Sequence, residues 1–465
     1  MYKETKYSIK LNKGYLDPIS SNLGLKQGCP LSPLLFNLYI DDMNGIFGKP
    51  CDPINLQGTD LSHFLYADDL VLVSETEGGL QNALDRLHRF SVEKRLSISI
   101  KKSKTMIFNR GGRLIKKYFK INGKPLEPVH DFCYLGFDVK ASGTTKHAMN
   151  TLLDKANKAM RPLMGSIARF NLPPETSIKL FHSYIAPIAL YNADNWAILT
   201  DKKLQNFSAE SIFCETLDNK TDTLHRIFLK YILGVSKSCP NLAIYGETGE
   251  LPLSLKAFRM LINFWYRIYN QSEETLAKKA LLENIALRTN WIKTVEKILG
   301  SFEMTDVTQT PMAFKTKANL SMQSKYTEFW YKNLNEDTSS RLVFYKKIKN
   351  EFKLEDYLNI PSFENRKAIA KIRCSDHPLE IERGRHKKIP RENRICKICP
   401  LNEVESEDHF LSKCTFYIRY KPKHNLSFNT NSITLLKDTE PTQLGRYFTE
   451  ALSERKKYKE WFDLD

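Results

Sequence analysis

Two adjacent carboxylates set between two short apolar runs constrain this chain more than any other stretch. In LSHFLYADDLVLVSE, Phe64, Leu65 and Tyr66 lead into Ala67-Asp68-Asp69, and Leu70 to Val73 follow, the pattern of two strands around an acidic turn. Strands this apolar are expected to be covered on both faces, and neighbouring aspartates at such a turn are costly unless a cation sits there. Magnesium matches. It prefers hard oxygen ligands, binds through one or two carboxylates plus substrate phosphates, and in phosphoryl-transfer sites works in pairs about 4 Å apart. Taken alone, the segment reads better as a surface hairpin that turns on Asp-Asp. Its neighbours reverse that preference.

Upstream stands GLKQGCPLSPLLFNLYIDDM, where Gly24, Gln27, Gly28, Pro30, Ser32 and Pro33 form a turn that runs into an amphipathic helix over Leu34–Met43. Glycine there lets backbone approach a ligand closely, and a helix N-terminus offers donors to phosphate. A helix is also expected from Gly79 to Arg95, with short strands around Thr105–Asn109 and Tyr134–Val139. From about Lys146 the apolar period changes to three and four, in LLDKANKAMRPLMGSIARF, LHRIFLKYILGV and LKAFRMLINFWYRIYN, so the middle of the chain is expected to be helical. The fold class is therefore α+β, strands first and helices after. Aromatic residues at helical spacing, as in FHSYIAPIALYNADNW, are read chiefly as core. Cys239 and His225, distant in sequence from other ligand types, are read as structural.

The four segments GLKQGCPLSPLLF, YADD, LSISIKKSKTMIF and FCYLG resemble, in order and spacing, successive palm motifs of reverse transcriptases from LINE-type, non-LTR retrotransposons. The resemblance implies that Gln27, Gly28, Pro30, Ser32 and Tyr66 lie beside nucleotide and template. It makes Asp68 and Asp69 magnesium ligands and places Lys104 near the pyrophosphate, while Tyr134, Leu135 and Gly136 grip the primer. The implied partners are an RNA template, a DNA primer or target and deoxynucleotides. Where the family usually has Asn, this chain has Ser99. The family's first palm motif, a strand bearing another metal-binding aspartate, has no counterpart: Asp17 in LDPIS is the only aspartate before Gly24 and lacks that setting. An N-terminally truncated palm is thus expected, with strand edges left bare and no polymerase activity of its own.

Near the other end, Cys396, Cys399, His409 and Cys414 stand at C-x2-C-x9-H-x4-C. Two thiolates from a tight knuckle and two ligands from a helical turn close a tetrahedral Cys3His zinc site, structural because no position stays open. Arg383, Arg385, Lys387, Lys388, Arg391 and Arg394 come just before it, within a stretch from Arg366 to Lys397 that holds eleven basic and four acidic residues. They are expected to neutralise phosphates. The segment from SDHPLEIERGRHKK to HFLSKC also resembles the tail of the same retrotransposon proteins. Expected domains are a partial palm over 1–140, a helical thumb over 141–235, a helical connector over 236–360, and the basic segment with its zinc module over 361–465.

Composition agrees with this reading. Lysine and arginine outnumber aspartate and glutamate by 70 to 53, a formal charge of +17 that favours a polyanionic partner. Nine scattered cysteines and a polar start point to a reducing, intracellular setting, nuclear or cytoplasmic. No stretch reaches the roughly 18 uninterrupted apolar residues of a membrane helix. A reading from a different class remains beside the polymerase: a non-enzymatic nucleic-acid-binding remnant that works through the basic segment and zinc module.

Overall fold

A computed structural model describes residues 5–12, 14–21, 24–26, 28–207, 210–213, 220–337, 341–428 and 430–461. Its contacts divide the chain into two compact units, 1–144 with 272–287, and 145–271 with 288–465. Among the described residues, no helix is long and apolar enough to cross a membrane.

In the first unit, helix Glu77–Glu93 organises the packing. Thr76 caps it by accepting the Gly79 N–H at 3.0 Å, two residues earlier than the expected start. Ala83, Leu87 and Phe90 pack against Ile40, Met43, Phe47 and Cys51, and Leu84 packs with Phe119, Ile121 and Leu126. Each fully buried Leu or Phe of this kind contributes about 1.5–3 kcal/mol. The helix after the Gly-Pro turn is α-helical over Ser32–Ile40, started early by Pro33, and tightens to a 3-10 turn over Asp41–Gly45. Asp42 is not simply solvated there, because it pairs with Lys94 at 2.5 Å.

The strands of this unit pair only two by two. In the hairpin His63–Tyr66 with Asp69–Leu72, the register sets His63, Leu65, Leu70 and Leu72 on one face and Phe64, Tyr66, Asp69 and Val71 on the other. Leu70 and Leu72 join the core against the helix, whereas Phe64 and Tyr66 stay exposed, Tyr66 at 65%. Coverage of both faces, expected from composition, is therefore corrected to coverage of one. No third strand or second layer is supplied to the outer face by the described residues.

The second unit is built on helices, among them Lys146–Phe170, Lys220–Leu233, Asn241–Thr248, Leu253–Tyr269, Pro311–Glu336, Phe363–Arg373 and Pro441–Trp461. Its core is aromatic, with Trp330, Tyr245, Tyr326 and Tyr345 wholly buried. Gly246 makes this possible, because a Cβ there would stand 2.4 Å from the Tyr345 hydroxyl and 2.5 Å from the Trp330 ring. Glu247, fully buried, receives Arg373 through two hydrogen bonds of 2.8 and 3.0 Å and the Tyr357 hydroxyl at 2.7 Å. The Glu247–Arg373 pair runs across the border expected at 360, and residues 145–271 and 288–465 form one compact unit. The aromatics of FHSYIAPIALYNADNW divide: Phe181 and Trp196 are core, and Tyr184 and Tyr191 are exposed. Cys239 and His225, distant from other ligand types in the sequence, have such neighbours in the fold. Cys239 lies against Cys374, its thiol 3.8 Å from the Cys374 carbonyl, and His225 sits beside His182 and Glu250.

Asp222 accepts the Ser254 N–H at 2.8 Å and the Ser254 hydroxyl at 2.7 Å, yet burial pushes its carboxyl up to about 7. The folded chain then holds a proton that the unfolded chain has already lost above the ordinary value of 3.8. This contribution is present below pH 3.8 and is lost as pH rises through about 7. Within that window wild type should lose stability relative to Asp222→Asn by up to about 1.4 kcal/mol per pH unit. Denaturant titrations of both proteins at several pH values check it, and parallel stability profiles refute it.

Candidate active site and metal centre

The acidic turn is a two-residue connection. Tyr66 pairs with Asp69, leaving Ala67 and Asp68 as the loop, and Ala67 adopts φ 53°. That left-handed backbone, uncommon for a residue with a Cβ, lifts Asp68 to the tip while Asp69 begins the returning strand on the outer face. Both side chains are exposed. They offer hard oxygen ligands to a divalent ion. Among the described residues no third Asp, Glu, His or Cys joins them in a metal-sized cluster.

A second hairpin, Asp131–Tyr134 with Phe137–Lys140, turns on Leu135 at φ 46° and Gly136 at φ 80°. Two successive positive φ values fit the tight turn that matches strand twist. The Tyr134 hydroxyl is raised above its ordinary range by burial first and by the Asp69 charge second, so the phenol lies within the field of that carboxylate. Lys104 lies on a short strand parallel to Glu127–Pro128 and forms an ion pair with Glu127. In the upstream turn, Gly28 has φ 81° with nothing near an added Cβ, so backbone conformation rather than close approach calls for glycine. Ser32 is buried and donates to the Lys26 carbonyl at 2.8 Å, while Pro30 sits exposed just before the helix. Gln27 lies outside the described residues.

The cysteine and histidine cluster closes in space. Ligand atoms of Cys396, Cys399, His409 and Cys414 all lie within 4.8 Å of one another, with Cys396 and Cys414 sulfurs 4.0 Å apart and Cys399 Sγ 3.3 Å from His409 Nε2. A tetrahedral zinc with Zn–S near 2.3 Å needs ligands about 3.7 Å apart, so the spacing fits. The knuckle is held by the Cys396 N–H donating to the Glu403 carbonyl at 2.8 Å. The other two ligands come from a π-turn, His409–Lys413, in which the Cys414 N–H returns to the His409 carbonyl. An ordinary α-helix would point residues five apart to different sides, whereas the wider turn stacks them. Glu403 stands 3.4 Å from His409 Nδ1 and so orients the ring, as carboxylates commonly do behind metal-bound imidazoles. Hydrogen bonding with Cys414 pulls the Cys396 thiol far below its ordinary range, which leaves Cys414 raised.

Below the cluster, Glu405 is fully buried and takes Arg455 Nε at 3.1 Å and the Tyr417 hydroxyl at 2.8 Å; Glu407 takes His377 at 3.0 Å. In ESEDH, residues 405–409, the alternate residues Glu405 and Glu407 anchor the loop and His409 faces the metal position. The basic residues before the knuckle divide by role. Arg394 donates to the carbonyls of Ile389 and Ile381, both at 2.9 Å, and Arg385 pairs with Glu382 at 2.8 Å. Arg383 is half-buried, while Lys387, Lys388 and Arg391 face solvent. Charge alone did not separate the bracing arginine from the outward ones.

Residues 2–139 match the family model described as reverse transcriptase (RNA-dependent DNA polymerase). A Retrovirus-related Pol polyprotein from type-1 retrotransposable element R2 of Popillia japonica is 26% identical over 257 residues, covering 51% of this chain and 32% of that protein. Its counterpart in Nasonia vitripennis is 32% identical over 114 residues, 24% of this chain and 11% of the relative. The Transposon TX1 uncharacterized 149 kDa protein of Xenopus laevis is 32% identical over 85 residues, 18% of this chain and 6% of its own length. The chain spans at most about a third of the length of these curated relatives.

Because Ala67 carries a left-handed backbone at a cost of about 1–2 kcal/mol, Ala67→Gly should tighten the acidic hairpin by about 1 kcal/mol or slightly less. Slower amide exchange across residues 63–72 would register the gain; faster exchange would show that the turn has another conformation.

Proposed function

Starting from a chain that carries a reverse transcriptase domain of the non-LTR retrotransposon kind, we propose that it belongs to a machinery that copies RNA into DNA, with the palm chemistry divided between these residues and a further carboxylate. The observation that carries the reading is the Asp68-Asp69 pair exposed at a two-residue hairpin turn, inside the stretch 2–139 that matches the reverse transcriptase family model.

Asp68 and Asp69 would hold magnesium, which when bound lowers the barrier to phosphoryl transfer by steadying the developing charge. Tyr66, exposed on the face that carries Asp69, packs against the nucleotide or primer end. Gly28, Pro30 and Ser32 shape the wall of the nucleotide site, with Gln27 in the same turn. Lys104 exchanges its exposed partner Glu127 for a phosphate when substrate arrives, an inexpensive swap because a pair of this kind contributes only about 0–1 kcal/mol. Tyr134, Leu135 and Gly136 hold the primer backbone. The helices after Lys146 serve as a thumb along the duplex.

The Cys3His cluster takes zinc as a structural ion, and Lys387, Lys388 and Arg391 next to it contact phosphate without reading sequence. Arg394, occupied by two carbonyls, braces the loop instead.

Two carboxylates are fewer than the two-ion reaction requires, so these 465 residues alone should not extend a primer on an RNA template with magnesium and deoxynucleotides. Extension abolished by Asp68→Asn would overturn this. For nucleic-acid binding, removing Lys387, Lys388 and Arg391 together should flatten the salt dependence of duplex affinity, each lost phosphate contact taking about 0.9 from the log–log slope. Stripping zinc with a chelator should weaken the same affinity; an unchanged dissociation constant excludes the module as the binding element.

A further inference from the structure

A second group of metal-ligating side chains lies in the helical unit, far from the cysteines in sequence and assembled from three separate segments. His182 comes from a π-turn, Phe181–Ile185, His225 from the middle of helix Lys220–Leu233, and Glu250 from the turn just after Asn241–Thr248. Their ligand atoms all lie within 4.8 Å of one another. Glu250 Oε2 is 2.7 Å from His182 Nε2 and 3.6 Å from His225 Nε2, and His182 and Glu250 are 68 residues apart.

His225 is the telling member. Its side chain is completely buried and its ring stacks on Phe181 with centroids 5.0 Å apart. Among the described residues neither ring nitrogen has a hydrogen-bond partner, and His182 Nδ1 is likewise buried without one. A buried polar atom left in this state costs about 1–3 kcal/mol, and the 3.6 Å gap to Glu250 is too long to recover it by a hydrogen bond. An apolar residue would fill the same space at less cost. A metal ion accounts for the imidazole, because its lone pair is the group such an ion takes.

We propose that His182, His225 and Glu250 form a second metal site, a His2Glu set for a divalent ion of the zinc type with one coordination position left open. Four ligands about 2.0–2.1 Å from zinc stand roughly 3.3 Å from one another, and the observed 2.7 and 3.6 Å lie on either side of that spacing. Small side-chain shifts would admit the ion. Unlike the closed cysteine cluster, this set supplies three protein ligands. Its His182 side chain is 30% and its Glu250 side chain 19% exposed, giving ion and water a route in. The bound ion would clamp three segments of the helical unit, adding to the His182–Glu250 contact a link to His225.

The test uses the full chain, stripped with a chelator, re-equilibrated with zinc alone and freed of excess by gel filtration before bound metal is counted. Two equivalents per chain are expected. Glu250→Gln and, separately, His182→Gln should each remove one equivalent while leaving the circular dichroism spectrum unchanged; Cys399→Ser should remove the other. Cobalt in place of zinc should give intense thiolate charge-transfer bands that survive Glu250→Gln and disappear with Cys399→Ser. A single equivalent that Cys399→Ser abolishes and both Glu250→Gln and His182→Gln leave intact would falsify the proposal. A single equivalent lost in Glu250→Gln but kept in Cys399→Ser would uphold it and sink the zinc reading of the cysteine cluster instead.

Discussion

Charge without water holds the larger unit together. Glu247 and Glu405 are fully buried carboxylates, and each persists inside only because an arginine from a distant helix reaches it, Arg373 in one case and Arg455 in the other. A buried ion pair adds little net stability over an apolar pair of the same shape, but losing one partner leaves an uncompensated charge and costs about 3–5 kcal/mol. Such pairs therefore specify which helices must meet. Arg373 fixes Phe363–Arg373 to Asn241–Thr248, and Arg455 fixes Pro441–Trp461 to the loop that carries the zinc ligands. The cysteine knuckle is a projection from a braced helical body rather than a bead on a string.

The smaller unit follows a different economy. Its hairpins are single ladders, and the one that carries Asp68 and Asp69 lies on the core by one face, so its functional side chains occupy the face that remains open. Alternation along a strand is what permits this: Leu70 and Leu72 bury themselves and in doing so turn Asp69 outward. The exposed Phe64 and Tyr66 on that outer face form a surface that nucleic acid or another layer of protein can use.

What could be read in the sequence was local. The Asp-Asp turn, the Leu135-Gly136 turn and the C-x2-C knuckle each declare themselves within a few residues, because turn geometry and ligand spacing are short-range properties. That Asp69 and Tyr134 serve one site was implied only by a family resemblance, since nothing in either segment encodes the other. His225 was misjudged as isolated for the same reason: its partners lie on a π-turn and on a loop past the next helix, and apolar periodicity carries no record of which buried ring faces which. Arg394 and Lys388 are alike by composition and differ in what they touch, a distinction that exists only after the chain has turned. Coverage of both faces of the hairpin failed as an expectation because hydrophobicity records a tendency to be buried, not the presence of something to do the burying.

The segment 272–287 belongs to the first unit although helices of the second precede and follow it. In it Lys279 Nζ reaches Thr59 Oγ1 at 2.6 Å, beside the Ile54–Leu56 and Thr59–Leu61 hairpin. The backbone therefore passes between the units three times. During synthesis the N-terminal unit cannot be finished when its own first stretch has emerged from the ribosome; it must wait until Leu287 is out, by which time part of the helical unit has been made. The two units are tied in the order of their completion, and a proteolytic cut at the second or third crossing leaves residues 1–144 covalently tethered to the helical unit, whereas a cut at the first severs that tether.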